Sequence, residues 1–278
     1  MFRNIPFLLV ALLVTQLSLS QKKEKIKGSK IVTVAVKEIN SFENIEINDN
    51  FEVFLVKSEN HSLEIEADDN LHDIINFEVA GNTLRVTALK LPSNYRKFVV
   101  RINYSDSLKL VTARNDAQIK AITDLELDKI TIKNYDSSKS FLNVKSNYFA
   151  LVLDDKSEAE INLKAETFTL ELSKNTSLKA LIAATEGKID MYQKSKAAIE
   201  GTSKTIKMRL DNNANLIAPK FTINTADINA EHYSTCKLNV TNEITIEASG
   251  KSEIELLGDA KINLKSFINN AILSKKEK

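Results

Sequence analysis

The 278-residue sequence has no tryptophan, one cysteine, three prolines and six glycines, and only 6% of it is aromatic. Each shortage excludes something. Cys236 has no partner, so no internal disulfide can form and the fold is not a disulfide-stapled scaffold. Glycine and proline are scarce for a chain with many turns. Asn and Asp must therefore supply the positive-φ corners, at places such as Asp154-Asp155, Lys174-Asn175 and Asp211-Asn212-Asn213. Neither sign of charge dominates, with 38 Lys and Arg against 37 Asp and Glu. A nucleic-acid binder would carry a basic surplus. Beyond the first residues, no apolar run is long enough to span a bilayer.

The N-terminal segment is the exception. Arg3 is followed by an apolar run from Ile5 to Val14, broken only by Pro6, and then by Ser18-Leu19-Ser20. This is the layout of a secretory signal, with cleavage expected before Gln21. A short membrane anchor is the alternative, but the run is too short for a spanning helix. No cysteine follows it that could carry a lipid. Residues 21–41 read as a polar leader with a first strand. Lys22, Lys23, Lys25, Lys27 and Lys30 suggest a solvated, disordered stretch. Residues 274–278 read as a basic tail.

What the sequence does contain is a repeat of about 19 residues. Ile119, Leu142, Ile161, Ala180, Ile199, Leu216, Leu238 and Ile254 follow one another at spacings of 23, 19, 19, 19, 17, 22 and 16. Small or polar residues recur four positions before each, and mostly small ones two before. Cys236 falls in this small set with Ala159, Ala197 and Ala214, which implies a buried, inert thiol. A second apolar column runs Leu151, Leu170, Ile189, Ile206, Ile228, Ile244. Apolar and polar residues alternate almost everywhere, while helical spacing is rare. A period of this kind marks a solenoid, in which each unit buries its apolar face against its neighbours.

The expected fold is therefore all-β: a single-stranded parallel β-helix with about 19 residues per rung and a partly antiparallel N-terminal cap. The solenoid domain spans 42–273, with the cap and first rungs in 42–107 and regular rungs in 108–265. Within the cap, Phe77-Glu78-Val79 and Leu84-Arg85-Val86 flank Ala80-Gly81-Asn82 as a hairpin. Leu71, Ile74 and Ile75 share a face, as in one short helical turn.

Two stretches carry a family resemblance. The first is Phe42-Glu43-Asn44-Ile45-Glu46-Ile47, then Phe51-Glu52-Val53-Phe54-Leu55, Leu63 to Leu71, and Gly81-Asn82-Thr83-Leu84-Arg85-Val86. The second is Ala248-Ser249-Gly250-Lys251-Ser252-Glu253-Ile254-Glu255-Leu256-Leu257-Gly258. Together they resemble the DUF2807 family, whose members carry the description of an auto-transporter adhesin head domain. The resemblance covers about Phe42 to Leu273. It implies a parallel β-helix exported by Bacteroidetes-type bacteria. The rung glycine of that family is kept only at Gly250, and Asp, Asn or Lys replaces it elsewhere.

Few residues point to chemistry. Asp68, Asp69, His72 and Asp73 form the densest polar cluster, and carboxylates with an imidazole can hold a divalent cation. The preferred reading is a strand-end turn with Asp and Asn caps. His61 and His232 lack ligand spacing. There is no His-Glu-x-x-His, no Gly-x-Ser-x-Gly, no phosphate-cradling glycine loop and no calcium loop. Asp154-Asp155 and Asp211 could pair across neighbouring corners, as in polysaccharide lyases or hydrolases built on a β-helix. Tyr135, Tyr148, Tyr192 and Tyr233 could form an aromatic sugar-binding track, but their different offsets within the repeat favour isolated exposed rings. No cofactor is expected. The leading expectation is an exported, non-catalytic solenoid that binds a carbohydrate, a peptide or an envelope protein, in the periplasm, at the outer membrane or outside the cell. A carbohydrate-active enzyme and an end-to-end assembling module are the alternatives.

Overall fold

The computed structural model describes residues 23–276. The expected signal segment, residues 1–20, lies outside the described residues.

Glu158–Leu172 shows how this sequence makes a rung. Ala159, Ile161 and Leu163 are buried, while Glu158, Glu160, Asn162 and Lys164 between them face solvent. The phase of alternation slips at Ala165–Thr167 and resumes with Phe168, Leu170 and Leu172 buried. The slip divides the rung into two arms. A turn, 173–176, leads to the next rung.

The cap contains β1 (Lys25–Lys27), β2 (Val32–Glu38), β3 (Asn44–Ile47), β4 (Glu52–Lys57) and β5 (Ser62–Asp68). A 3₁₀ turn at Asp69–Ile74 leads to β6 (Ile75–Ala80), β7 (Thr83–Ala88), β8 (Leu91–Ser93) and β9 (Phe98–Tyr104). The solenoid continues as β10 (Leu110–Ala113), β11 (Gln118–Ala121), β12 (Leu125–Glu126) and β13 (Lys129–Asn134). Its long rungs are β14 (Lys139–Leu153), β15 (Glu158–Leu172), β16 (Ser177–Met191), β17 (Lys196–Leu210), β18 (Asn215–Ala230) and β19 (Thr235–Ala248). It closes with β20 (Glu253–Leu257), β21 (Lys261–Phe267) and β22 (Ile272–Lys275).

Two stacks of strands result. The first arm runs β2, β5, β9, β4, β11, the first half of β14, and onward to β20 and β22. The second runs β6, β7, β3, β10, β13, the second half of β14, and onward to β21. Pairing is parallel except for β2 with β5, β5 with β9 and β6 with β7, all in the cap. The solenoid makes about nine turns. At ~4.8 Å per rung it is roughly 43 Å long.

From β14 to β17 each residue lies against its equivalent 19 positions later. The expected columns are interior, but two need correction. Leu151, Leu170 and Ile189 do stack, but Met208, Ile228 and Ile246 follow them; Ile206 and Ile244 belong with Phe149, Phe168, Gly187 and Ala226. Likewise Ile119, Leu216 and Ile254 share a column with Ala159, Leu178, Ala197 and Cys236, not with Leu142 and Ile161. Residues two apart face the same side of a strand, so hydrophobicity alone cannot tell one interior column from the next. Gly187 leaves the space that the Phe168 ring occupies: a Cβ there would lie 2.2 Å from a ring carbon. The strict period breaks at Pro219, where β18 gains a residue and the register with β17 shifts. Proline cannot donate to the ladder and is placed at such irregularities.

The corners follow the sequence expectation. Asn115, Asp136, Asp155, Lys174, Gln193, Asn212, His232 and Gly250 all adopt positive φ at equivalent corners, joined by Asn213 beside Asn212. Two residues downstream, Ser138, Ser157, Thr176, Ser195, Ser234 and Ser252 turn inward and are buried. The Ser157 hydroxyl donates to the Asn134 carbonyl at 3.0 Å.

The leader differs from expectation. β1 pairs in parallel with β8, and Lys23 Nζ lies 2.6 and 2.7 Å from the Asp49 carboxylate oxygens and 2.6 Å from the Ala88 carbonyl. An unpaired strand edge and the buried Asp49 carboxylate were available, and the basic run supplies partners for both. At the other end Ser274 and Lys275 belong to β22, so the tail begins later than expected.

Leu170 is fully buried. Leu170→Asp should lower stability by about 4 kcal/mol or more in urea unfolding, because an unpaired charge is buried between rungs; an unchanged midpoint would contradict in-register stacking. Burial pushes the Cys236 thiol up to about 12. Thiol labelling should therefore be slow in the folded protein and fast in denaturant; rapid native labelling would mean that the column faces outward.

Candidate binding surface

The outward residues of the first arm form columns as regular as the inner ones. By register, one column runs Glu64, Arg101, Phe54, Lys120, Phe141, Glu160, Lys179, Ala198. Arg101 pairs with Glu64 at 2.6 Å and Glu66 at 3.0 Å, and lies 5.9 Å above the Phe54 ring. Lys120 sits between two aromatic faces, 5.7 Å from Phe54 and 5.9 Å from Phe141, and reaches Glu52 at 2.6 Å. Glu160 and Lys179 pair at 2.8 Å. The hydrogen bond and charge of Glu160 raise the Lys179 pKa above the usual lysine value.

The neighbouring column runs Asn143, Asn162, Leu181, Glu200. The Asn162 amide donates to Asn143 Oδ1 at 2.8 Å. Leu181 is 53% exposed and Phe141 37%. Between these columns lies an open depression of about 530 Å³. Its floor is β-sheet and its rim alternates apolar faces, amides and opposite charges. Such a surface can stack a flat apolar ligand face on Phe141 and bond hydroxyls with the amides and ions.

The acidic cluster of the cap is arranged differently. Asp68 is fully buried, and its carboxylate accepts backbone N–H groups of Lys30 (2.9 Å), Arg96 (3.0 Å) and Lys97 (2.9 Å). It thereby ties the end of the leader to the loop before β9. Burial pushes its carboxyl up, but these donors and the Lys30 charge outweigh that and leave it below the usual value. Asp69 accepts the Asn70 N–H, and His72 Nε2 lies 3.0 Å from the Thr33 hydroxyl. Asp73 is exposed on the same 3₁₀ turn.

The corner acids lie apart. Asp154 and Asp211 share one turn column but stand three rungs apart, ~14 Å on rung spacing. Asp154 bonds the Ser173 hydroxyl at 2.5 Å and Lys174 at 3.0 Å, and Lys174 also holds Asp155 at 2.6 Å. Burial raises the Asp154 carboxyl, while Ser173 and Lys174 bring it below normal. Among the described residues, the set with ligand atoms within 4.8 Å of one another is Asp211, Glu231 and His232. His232 Nδ1 is 2.5 Å from Asp211 Oδ1. These residues come from successive turns and only the rung register brings them together, so sequence spacing gave no sign of them. Tyr135, Tyr192 and Tyr233 lie along the turns, with Arg114, Arg209 and Lys251 above their rings, and Tyr148 lies at the arm junction.

The closed apolar interior and the polar ladders outside define a parallel β-solenoid. The chain belongs to DUF2807, described as "Putative auto-transporter adhesin, head GIN domain", whose model matches residues 41–260. The crystal structure of a "putative adhesin" from Parabacteroides merdae superposes with TM-score 0.61 at 18% identity, covering 91% of this chain and 99% of that one. A "Putative lipid binding protein" from Parabacteroides distasonis gives TM-score 0.64 at 15% identity, covering 91% and 100%. Another "putative adhesin" from P. distasonis gives 0.61 at 16% identity, covering 90% and 100%. Among curated proteins none matches the chain.

Asp68 is the polar residue on which the cap most depends. Asp68→Ala should cost about 3 kcal/mol by stranding buried N–H donors. The Asp68 carboxyl is lowered in the fold, so its contribution is complete above the unfolded pKa of about 3.9 and fades as pH falls through the lower folded value. Urea midpoints measured from neutral to acid pH should fall less steeply for Asp68→Asn than for the wild type; equal slopes would remove this role.

Proposed function

We propose that the protein is exported and binds a glycan-bearing surface through the outer face of its first arm, without catalysing a reaction on it. The depression framed by Phe141, Asn143, Asn162, Lys179 and Glu200 carries this reading, because it spans successive rungs and combines an exposed aromatic face with amides and both charges. The family description as an adhesin supports it, and so does the signal-like segment Arg3 to Ser20. Asp154 and Asp155 are held by Ser173 and Lys174 and stand three rungs from Asp211, so these acids are not set against one another as a general acid and its base would be.

Screening the mature protein against polysaccharides and glycopeptides should find binding without turnover. Phe141→Ala, Asn162→Ala and Lys179→Ala should each weaken binding by about 1 kcal/mol, roughly fivefold, since the contact spreads over rungs. Binding indifferent to all three would move the contact elsewhere. Cleavage of a polysaccharide that disappears in Asp155→Asn or Asp211→Asn would replace the reading with an enzymatic one.

A further inference from the structure

One interior column runs the whole length of the first arm, and both its ends are lysines. From the N-terminal end the register gives Lys37, Leu63, Ile102, Leu55 and Ala121. The column continues through Leu142, Ile161, Ala180 and Ile199. It ends with Ala218, Leu238, Leu256 and Lys275. The Lys120–Phe141 pair sets Ala121 beside Leu142, and the bulge at Pro219 sets Ile199 against Ala218. Every member between the lysines is apolar, and all but the partly buried Ala121 are buried.

The rest of both end faces invites continuation. Among the described residues, β2 pairs with β5 alone and β22 with β20 alone, so each has an open edge. The adjacent interior column ends on Ala35 and on Leu273. The second arm ends on Phe77 and Val79 at one side and on Ile262, Leu264 and Phe267 at the other. Leu264 is 54% exposed and Phe267 36%. β2 is antiparallel to β5, which is antiparallel to β9, so β2 runs in the direction of the solenoid strands. A second copy could therefore place its β22 on β2 as one more parallel rung. Such a contact is head-to-tail, does not close on itself and would grow into a filament.

We infer that Lys37 and Lys275 are the residues that keep the ends of this protein from stacking on a second copy of itself. In-register stacking would set Lys275 of one copy against Lys37 of the next, inside a column that is otherwise apolar. Two ammonium groups would lose their water and face a like charge. Inward-pointing charge on an edge strand is a known guard against edge-to-edge pairing. Here the guard stands at both ends of one column.

The mature chain and its variants are compared by sedimentation over a wide concentration range, with circular dichroism to confirm the fold. The wild type should remain a monomer. Lys37→Leu/Lys275→Leu should give a mass that rises with concentration beyond that of a dimer. Lys261→Leu, at an outward position of β21, should stay monomeric. Charge reversal separates specific stacking from general stickiness: Lys37→Glu should associate, because its carboxylate would meet Lys275 of the next copy. Lys37→Glu/Lys275→Glu should return to monomer. A wild type that polymerises through its ends overturns the inference. So does a series in which the double leucine variant and the single reversal both stay monomeric.

Discussion

The constraint on which this structure rests is the parallel ladder, which sets each residue beside its equivalent about one rung later. A residue type chosen at one position is answered by its neighbours above and below. Inside, this favours columns such as Leu151, Leu170 and Ile189, in which like packs on like. Outside, it would stack like charges ~4.8 Å apart. At several places the sequence sets opposite charges together instead: Lys139 meets Glu158 at 3.0 Å, Glu160 meets Lys179 at 2.8 Å, Glu126 meets Lys145 at 3.0 Å and Lys237 meets Glu255 at 2.5 Å. Lys145 beside Lys164, Glu171 beside Asp190 and Lys188 beside Lys207 are exceptions. Each exposed opposite pair contributes little, about 0–1 kcal/mol. Their placement matters more for what it avoids.

The turns bear the cost of this economy. Eight successive corners use positive φ, and only one of the eight is glycine. Asn, Asp and His tolerate the conformation, whereas Lys174 and Gln193 do so less readily. What makes them affordable is the ladder: the Asp155 carbonyl accepts the Asn175 N–H and the His232 carbonyl accepts the Lys251 N–H. Gly250 is placed where a Cβ would come within 2.8 Å of the His232 backbone. The glycine retained at that rung thus has a steric reason that the other corners lack.

The repeat was legible because strand alternation and a 19-residue period both survive in the sequence. The exact column was not legible where a spacing dropped to 17, between Ile189 and Ile206, because the next interior column offers an equally apolar residue two positions on. The hairpin around Gly81 and the short turn at Asp69–Ile74 were visible from local signals. The docking of the leader was not, because a run of lysines looks the same whether its partners are water or Asp49. Asp68 read as a turn residue beside a candidate cation cluster; that its carboxylate gathers amides from Lys30, Arg96 and Lys97 depends on segments 28 to 38 residues away. The outward columns of the first arm were hidden for a related reason. Phe54, Lys120 and Phe141 carry no motif, and only the register sets them in a line.

The direction of the hydrogen bonds has a mechanical side. They run along the long axis of the solenoid, while the strands run across it. Tension between the two ends would load the ladder bond by bond, and rungs would peel from whichever end yields first, each taking only its own share of the core with it. A load spread sideways over one face would be shared by several rungs at once. Binding through that face, as proposed, would hold the molecule in its stiffer direction.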